Sequence, residues 1–310
     1  MIPGRPACLV LGGGGFLGTN LCRRLVASGL RVRAFGRRAL FPRALDGAEW
    51  LPGDFSDAAA VAAAVETTDV VFHLIHGTTP QSANLDMAAD LQHNIVPSLT
   101  LLDLSRKLGV QRIVFVSSGG TVYGKAKDVP TPETAATDPI TAYGISNLAL
   151  EKYLALHEHL YGLSYRVLRV TNAFGPFQVA LKNQGIIAAV ISRALRNESV
   201  EIWGDGSVVR DFVFVDDIMD ALEAAAADQS EARIFNIGSG QGRMLRDVIA
   251  TIEKLMDRKL EIRWKDKRAV DVPVSVVSIE RAKNVLGWTP KTPFEQGVQK
   301  TIAWWQSRGD

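Results

Sequence analysis

The sequence predicts an α/β protein with a doubly wound parallel sheet of the Rossmann type and a smaller C-terminal substrate-binding domain. Apolar segments of strand length alternate with helical segments, which is typical of parallel strands covered by helices on both faces. A run of glycines separates the first strand from the first helix. The chain has 310 residues, 47% of them hydrophobic, which is enough for the core of one large and one small domain.

The predicted elements follow one another in regular order. We expect strands over 7–11, 31–35, 70–75, 112–117 and 165–170, a third strand in the segment 49–54, and helices over 19–28, 58–65, 86–108 and 142–161. The composition changes after about residue 172. We therefore predict a dinucleotide-binding domain over 1–172 and a substrate-binding domain over 173–310. The chain is expected to return to the main sheet within 212–238, first near 212–215 and again near 235–237.

The glycine-rich segment 12–18 is expected to bind the pyrophosphate of a dinucleotide. Backbone N–H groups can approach an anion where side chains are absent, and the positive end of the next helix faces it. The four consecutive glycines fit both Gly-x-x-Gly-x-x-Gly and Gly-x-Gly-x-x-Gly, so the spacing leaves the subfamily open. The candidate cofactor contacts here are Gly12, Gly15, Phe16, Leu17 and Gly18.

Charge and cysteine content argue against several classes of protein. The 35 basic and 33 acidic residues are spread along the chain, so nothing indicates a nucleic acid or a membrane surface as partner. Two cysteines, Cys8 and Cys22, are too few for a disulfide framework or a cysteine metal site, and no other metal site is expected. Because the sequence contains no signal-peptide pattern and no bilayer-length apolar segment, we expect a cytoplasmic protein.

Hydroxyl groups follow the strand predicted over 112–117. Ser118 and Thr121 come after this strand, and Tyr143 opens the helix 142–161, so a hydroxyl and a helix-borne tyrosine can lie close together. Alternatively, the two hydroxyls only satisfy backbone groups at the end of the strand.

Together these residues resemble the extended short-chain dehydrogenase/reductases, and within them the NAD-dependent epimerase/dehydratase family of the UDP-galactose 4-epimerase type. The resemblance covers nearly the whole chain. Further matching segments are Asp54-Phe55, Asn94, 169–176, 210–213, 235–238 and 268–273.

The resemblance implies a role for each matching residue. Tyr143 would be the catalytic base, with Ser118, slightly preferred, or Thr121 as its hydroxyl partner. On the cofactor side, Asp54 and Phe55 would contact adenine. The other cofactor contacts would be Leu74, Asn94, Tyr143 and Asn147. The substrate contacts would be Asn172, Arg210, Arg268 and Asp271. Arginine suits a diphosphate because its planar fork binds phosphate oxygens in pairs.

Position 147 departs from the family signature Tyr-x-x-x-Lys, because Asn147 stands where the family has lysine. In the family, the lysine binds the nicotinamide ribose and lowers the tyrosine pKa from about 10 by roughly 3 units. Asn147 can replace the hydrogen bonds but not the charge, and Lys152 lies too far along the helix to do so. We therefore expect a protonated Tyr143, impaired activity and a large gain in turnover from Asn147→Lys. Engineered inactivation, a natural change of chemistry and a binding protein without turnover all stay open.

The most favoured reaction is epimerisation of a nucleotide sugar, as in a UDP-hexose 4-epimerase that oxidises the sugar transiently to a 4-keto form. Dehydration is disfavoured because Gly120-Thr121 occupies the place of the acidic pair that dehydratases carry. The cofactor is expected to be NAD or NADP, since Arg37 and Arg38 replace the usual acid after the second strand and suit a 2′-phosphate. A reductase of keto nucleotide sugars that uses NADPH and a non-catalytic nucleotide-sugar binder are the alternatives.

Two histidines lie at the end of the strand predicted over 70–75. His73 is interpreted as a core residue of this strand, whereas His76 is a candidate for contact with cofactor or substrate, because an ionisable group near a crevice can mark a site. The resemblance also implies a homodimer formed through the helices predicted over 86–108 and 142–161.

Overall fold

The computed structural model describes residues 7–179, 185–266 and 272–308, and its central element is a seven-stranded sheet. The strands of the molecule are β1 (Ala7–Leu11), β2 (Arg31–Gly36), β3 (Glu49–Pro52), β4 (Val70–His73), β5 (Arg112–Ser118), β6 (Ser164–Val170), β7 (Asn172–Phe174), β8 (Val200–Trp203), β9 (Val209–Phe214), β10 (Ile234–Ile237), β11 (Gly242–Met244), β12 (Ile262–Lys265) and β13 (Val274–Ser275).

The helices are α1 (Phe16–Ala27), α2 (Ala58–Val65), α3 (Pro80–Ala83), α4 (Met87–Asp90), α5 (Val96–Lys107), α6 (Ala142–Tyr161), α7 (Ile186–Leu195), α8 (Val215–Ala227), α9 (Leu245–Met256), α10 (Glu280–Leu286) and α11 (Phe294–Ser307). A π-helical turn, Leu91–Ile95, joins α4 to α5. Among the described residues, no helix combines the length and the apolar character needed to traverse a bilayer.

The seven-stranded sheet has the order β10-β6-β5-β4-β1-β2-β3, and every neighbouring pair is parallel. This confirms the predicted doubly wound parallel sheet. Chain order reverses between β1 and β4, so a crevice for ligands is expected at the carboxyl ends of these two strands.

Both faces of the sheet are buried, and β1 shows why its sequence is continuously apolar. Cys8 and Val10 point into a core that also contains α1 and α8, whereas Leu9 and Leu11 point into a second core with α2, α5 and α6. Both faces of such a strand need apolar side chains, which gives an uninterrupted apolar run in place of alternation.

The second half of the chain departs from one expectation. Residues 212–214 lie in β9, which pairs with β7, β11 and β13 in a separate small sheet, so their predicted placement in the main sheet is wrong. The edge of β6 that these residues would have needed is occupied by β10. After β9, α8 packs back onto the main core, and β10 joins the main sheet. The division of the chain at residue 172 stays a prediction.

Candidate active site

The loop between β1 and α1 needs its glycines for close packing. Gly12 has φ +84°, a left-handed conformation that favours glycine. A Cβ on Gly18 would lie 2.1 Å from the Gly12 carbonyl oxygen, and one on Gly14 would lie 2.2 Å from the Arg38 carbonyl oxygen. A Cβ on Gly15 would meet only the Gly12 oxygen, at 3.4 Å. The turn therefore requires glycine at Gly12 and the packing requires it at Gly14 and Gly18, whereas Gly15 leaves open space beside the loop.

The N-terminus of α1 opens onto the space beside Gly15. Gly15 is the N-cap residue and, as a glycine, has no side chain to cap the helix. Phe16, Leu17 and Gly18 form the first turn, whose N–H groups have no carbonyl partner within the helix. No acidic residue lies in this turn. Free N–H groups at a positive helix end fit the pyrophosphate of a dinucleotide.

Arg37 and Asp54 face each other beyond the ends of β2 and β3, where adenosine is expected from the sequence. Arg37 Nη1 lies 4.0 Å from Asp54 Oδ2, and both side chains are exposed. The Ser56 N–H and hydroxyl donate to Asp54 and hold the pKa of its carboxyl below the usual range. Phe55 is buried, with its ring 5.1 Å from that of His73. Its ring is therefore mainly a core group, and its predicted adenine contact stays a prediction.

The segment after β4 is fixed by two of the predicted cofactor residues. The N–H of Leu74 donates to the Leu11 carbonyl at 3.1 Å, which keeps this segment beside the glycine loop. Asn94 is buried in the π-helical turn, where its Oδ1 accepts from the Gly77 N–H at 2.7 Å. The Asn94 Nδ2 donates to Asp90 Oδ1 at 2.9 Å. Asn94 thus holds the loop after β4 against the helical segment that follows it.

Asp90 is a buried carboxylate that was not predicted from the sequence. Its side chain accepts hydrogen bonds from the hydroxyls of Thr78 and Ser146 and from the Asn94 amide. All three donors are neutral, so the negative charge stays close to the N-terminal part of α6. The spacing of Asp90 and Asn94, one helical turn apart, is a signal that could have identified this pair.

The two candidate hydroxyls at the end of β5 differ in their surroundings. Ser118 is half-buried at the last position of the strand. Thr121 lies against the first turn of α6, because a Cβ on Gly144 would be 2.8 Å from the Thr121 carbonyl oxygen. Its Oγ1 is buried and has no hydrogen-bond partner within the described residues. Thr121 therefore contacts the helix that carries Tyr143. Ser118, the slightly preferred hydroxyl partner of Tyr143 from the sequence, stays a candidate.

Tyr143, Asn147 and His76 form one cluster at the start of α6. Asn147 is 1% exposed, and its Nδ2 donates to the Tyr143 carbonyl at 2.9 Å and to His76 Nε2 at 3.2 Å. The His76 ring meets the Tyr143 ring edge-on, with centroids 4.2 Å apart. Asn147 Oδ1 is buried without a hydrogen-bond partner in the described residues. His76 thus contacts two of the predicted site residues, Tyr143 and Asn147.

Burial keeps this cluster uncharged. It raises the pKa of Tyr143 to about 12, the charge of Asp90 acts in the same direction, and hydrogen bonding with Asn147 opposes it. Burial also lowers the pKa of His76 to about 4 and that of His73 to about 3. At neutral pH the phenol is therefore protonated and both imidazoles are neutral.

A buried ion pair attaches α6 to the sheet. Arg169 Nη2 on β6 lies 2.6 Å from Glu151 Oε2 on α6, and both side chains are almost fully buried. The Ser117 hydroxyl on β5 donates to Glu151 at 2.6 Å. Arg169 also donates to the Tyr123 hydroxyl at 2.9 Å. These contacts fix the helix two turns beyond Tyr143.

The predicted substrate residues lie around β9. Asn172 Nδ2 donates to the Asp211 carbonyl at 3.0 Å, and Arg210 Nη1 donates to the Val272 carbonyl at 2.7 Å. The structure thus brings Asn172 and Arg210 into one small sheet. The two other candidates, Arg268 and Asp271, lie outside the described residues.

Comparisons with known proteins cover almost the whole chain. The model of the NAD dependent epimerase/dehydratase family matches residues 8–238. A UDP-glucose 4-epimerase of Mycolicibacterium smegmatis is 31% identical over 308 residues, 97% of this chain and 98% of the relative. The structure of a Thermotoga maritima UDP-glucose 4-epimerase with UDP-glucose has a TM-score of 0.93 and 33% identity, over 98% of this chain and 100% of that one. The structure of a Thermus thermophilus UDP-glucose 4-epimerase with NAD has a TM-score of 0.91 and 29% identity, over 97% of this chain and 99% of that one.

Proposed function

The chain belongs to the NAD dependent epimerase/dehydratase family, and on this premise we propose that it is a nucleotide-sugar epimerase that inverts C4 of a UDP-hexose. The observation that carries the proposal is the contact of Tyr143 with the segment after β4, which itself lies beside the glycine loop after β1. The carboxyl ends of these strands meet at one crevice, where a sugar and a dinucleotide can lie together. NAD, one of the two predicted cofactors, is the cofactor of the family.

The residues of this chain divide the binding between them. A bound dinucleotide would supply the hydride acceptor and donor for the sugar carbon. The glycine loop and the α1 N-terminus would hold its pyrophosphate, and Arg37 and Asp54 would flank its adenosine. Phe55, Leu74 and Asn94 complete that side as proposed contacts. The proposed substrate contacts are Asn172, Arg210, Arg268 and Asp271.

Tyr143 acts as the proton acceptor for the sugar hydroxyl, with Thr121 or Ser118 as its hydroxyl neighbour. Only the phenolate can take the proton. With a pKa of about 12, a phenol at pH 7 is ionised to about one part in 10⁵. Asn147 brings no positive charge to correct this, so we propose slow turnover.

The two alternatives each have an observation in their favour. The exposed Arg37 and Arg38 suit the 2′-phosphate of NADP, which favours a keto-nucleotide-sugar reductase that uses NADPH. The uncharged Asn147 favours a nucleotide-sugar binder without turnover. A cytoplasmic location stays a prediction.

A homodimer is proposed as the assembly. Aliphatic side chains are exposed on α6 and on the segment that contains α4 and α5, the helices expected to form the interface. The exposed side chains are Leu85, Met87, Leu91, Val96, Ile145, Leu156 and Leu160. On α6 they recur at helical spacing and form one stripe, which a second copy of the chain can cover.

Conversion of UDP-glucose to UDP-galactose, followed by mass spectrometry, tests the proposed reaction. We expect slow conversion without added cofactor, its loss in Tyr143→Phe and no change in Tyr161→Phe, the same substitution at the other end of α6. Mass spectrometry of the molecules released on denaturation identifies the cofactor. Retained NAD or NADH supports the epimerase, whereas bound NADPH with reduction of a keto sugar, or sugar binding without turnover, contradicts it.

A further inference from the structure

The Asn147 amide lies among three acceptors: the Tyr143 carbonyl, His76 Nε2 and the Tyr143 phenol, whose pKa is lowered by hydrogen bonding with Asn147. The Tyr143 carbonyl and His76 Nε2 accept from Nδ2, which has two hydrogens to give. This assigns the orientation of the amide, because a backbone carbonyl can only accept. It also assigns the imidazole tautomer: Nε2 accepts, so the proton is on Nδ1. Asn147 and His76 are therefore mutually fitted groups.

His76 also lies where a longer side chain at position 147 would extend. Asn147 Nδ2 is 3.2 Å from His76 Nε2. Lysine has two more atoms beyond the position of this amide nitrogen, a further reach of about 2.5 Å at ordinary bond lengths. A lysine that follows the same path would enter the imidazole ring. The ring itself is held edge-on by Tyr143 and by a hydrogen bond with the Ile75 backbone.

We propose that His76 is a positioning residue that fills the space of a lysine at position 147, so that His76 and Asn147 form a neutral matched pair beside the Tyr143 phenol. The effect of the pair on turnover rests on the proposed function, but its effect on Tyr143 does not.

The charges around the phenol define what the pair does. Asp90 on α4 is the negative group that acts on both Tyr143 and His76, and His73 on β4 is neutral. An ammonium group beside a phenol lowers its pKa by about 1–3 units. Asn147→Lys alone has to compete with the His76 ring for space. Shortening His76 in addition opens that space and allows the ammonium to lie against the phenol.

The pKa of Tyr143 tests the proposal directly. We would label tyrosine with ¹³C at Cζ, assign Tyr143 with Tyr143→Phe, and titrate the substrate-free protein by NMR. Asn147→Lys alone is expected to lower the pKa by less than about 0.5 units, and the double variant with His76→Ala by at least 1 unit. The large gain in turnover expected from the sequence for Asn147→Lys should therefore require His76→Ala as well. Asn147→Lys with His93→Ala, which removes an exposed histidine, is the matched control and should behave as the single variant. A full decrease in the single variant, or none in the double one, overturns the proposal.

Urea unfolding of a second pair of variants tests, without introducing a lysine, whether His76 limits the space for the side chain at position 147. Asn147→Met lengthens the side chain without charge and is expected to lower the urea midpoint, because it collides with His76. His76→Ala should recover most of that loss, whereas additive effects of the two substitutions contradict the pair.

Turnover then separates the two proposals. If Asn147→Lys with His76→Ala has a lowered Tyr143 pKa but forms no UDP-galactose, the result contradicts the proposed epimerase and leaves the proposed pair of His76 and Asn147 intact. An unchanged Tyr143 pKa contradicts the pair, whatever the turnover.

Discussion

Glu151→Ala removes the carboxylate that pairs with Arg169 and accepts from Ser117. The side chains of Glu151 and Arg169 are 1% and 3% exposed, so water cannot replace the lost partner. The variant leaves a buried guanidinium with only the Tyr123 hydroxyl as a polar neighbour from this network. Breaking a buried pair in this way costs roughly 3–5 kcal/mol. We expect the free energy of unfolding to fall by this amount.

Urea unfolding followed by circular dichroism measures the change. Glu198→Ala is the matched control, because Glu198 pairs with Arg196 at the surface, where both side chains are about half exposed. Removing an exposed partner of this kind should leave the urea midpoint nearly unchanged.

A double variant distinguishes the buried charge from lost packing. Glu151→Leu with Arg169→Met replaces both charges by apolar side chains, and such exchanges are often neutral in buried pairs. We expect it to recover at least half of the loss. A decrease of less than about 1 kcal/mol in Glu151→Ala, or no recovery in the double variant, would refute the reasoning.

Two further predictions concern pH and assembly. Burial holds the pKa of His73 at about 3 and that of His76 at about 4, so the unfolded chain binds protons below pH 6.5 that the folded chain does not. The contribution of each neutral histidine to the free energy of unfolding is therefore fully present above pH 6.5. At pH 5 the free energy of unfolding is lower by about 2 kcal/mol per histidine. His73→Gln should remove about half of this dependence in urea unfolding, and an unchanged slope contradicts the assignment. Leu156→Glu places a charge in the exposed apolar stripe of α6 and should shift a dimer to monomer in analytical ultracentrifugation. Lys283→Glu, at an exposed position of α10 outside the proposed interface, is the control and should leave the dimer intact. A dimer that persists in Leu156→Glu places the interface elsewhere.

Much of the main sheet and the glycine loop could be predicted because their signals are local in the chain. A parallel strand buried on both faces reads as a short apolar run, and a strand followed by glycines and a helix indicates a nucleotide-binding turn without any distant contact. The predicted helix over 142–161 coincides with α6. The place of β9 could not be predicted in the same way, because its apolar sequence suits either sheet and the pairing of β10 with β6 decides between them.

The sequence by itself determined the fold class, the family and the absence of lysine at position 147. Only the tertiary structure decided what surrounds that position. His76, Asp90 and Asn147 come from the loop after β4, from α4 and from α6, and their contacts follow from how these elements pack. Periodicity reports which face of an element is buried, but not which polar groups meet across elements. The physical reason is that burial and hydrogen-bond partners, which set the protonation of Tyr143, are properties of the folded surroundings.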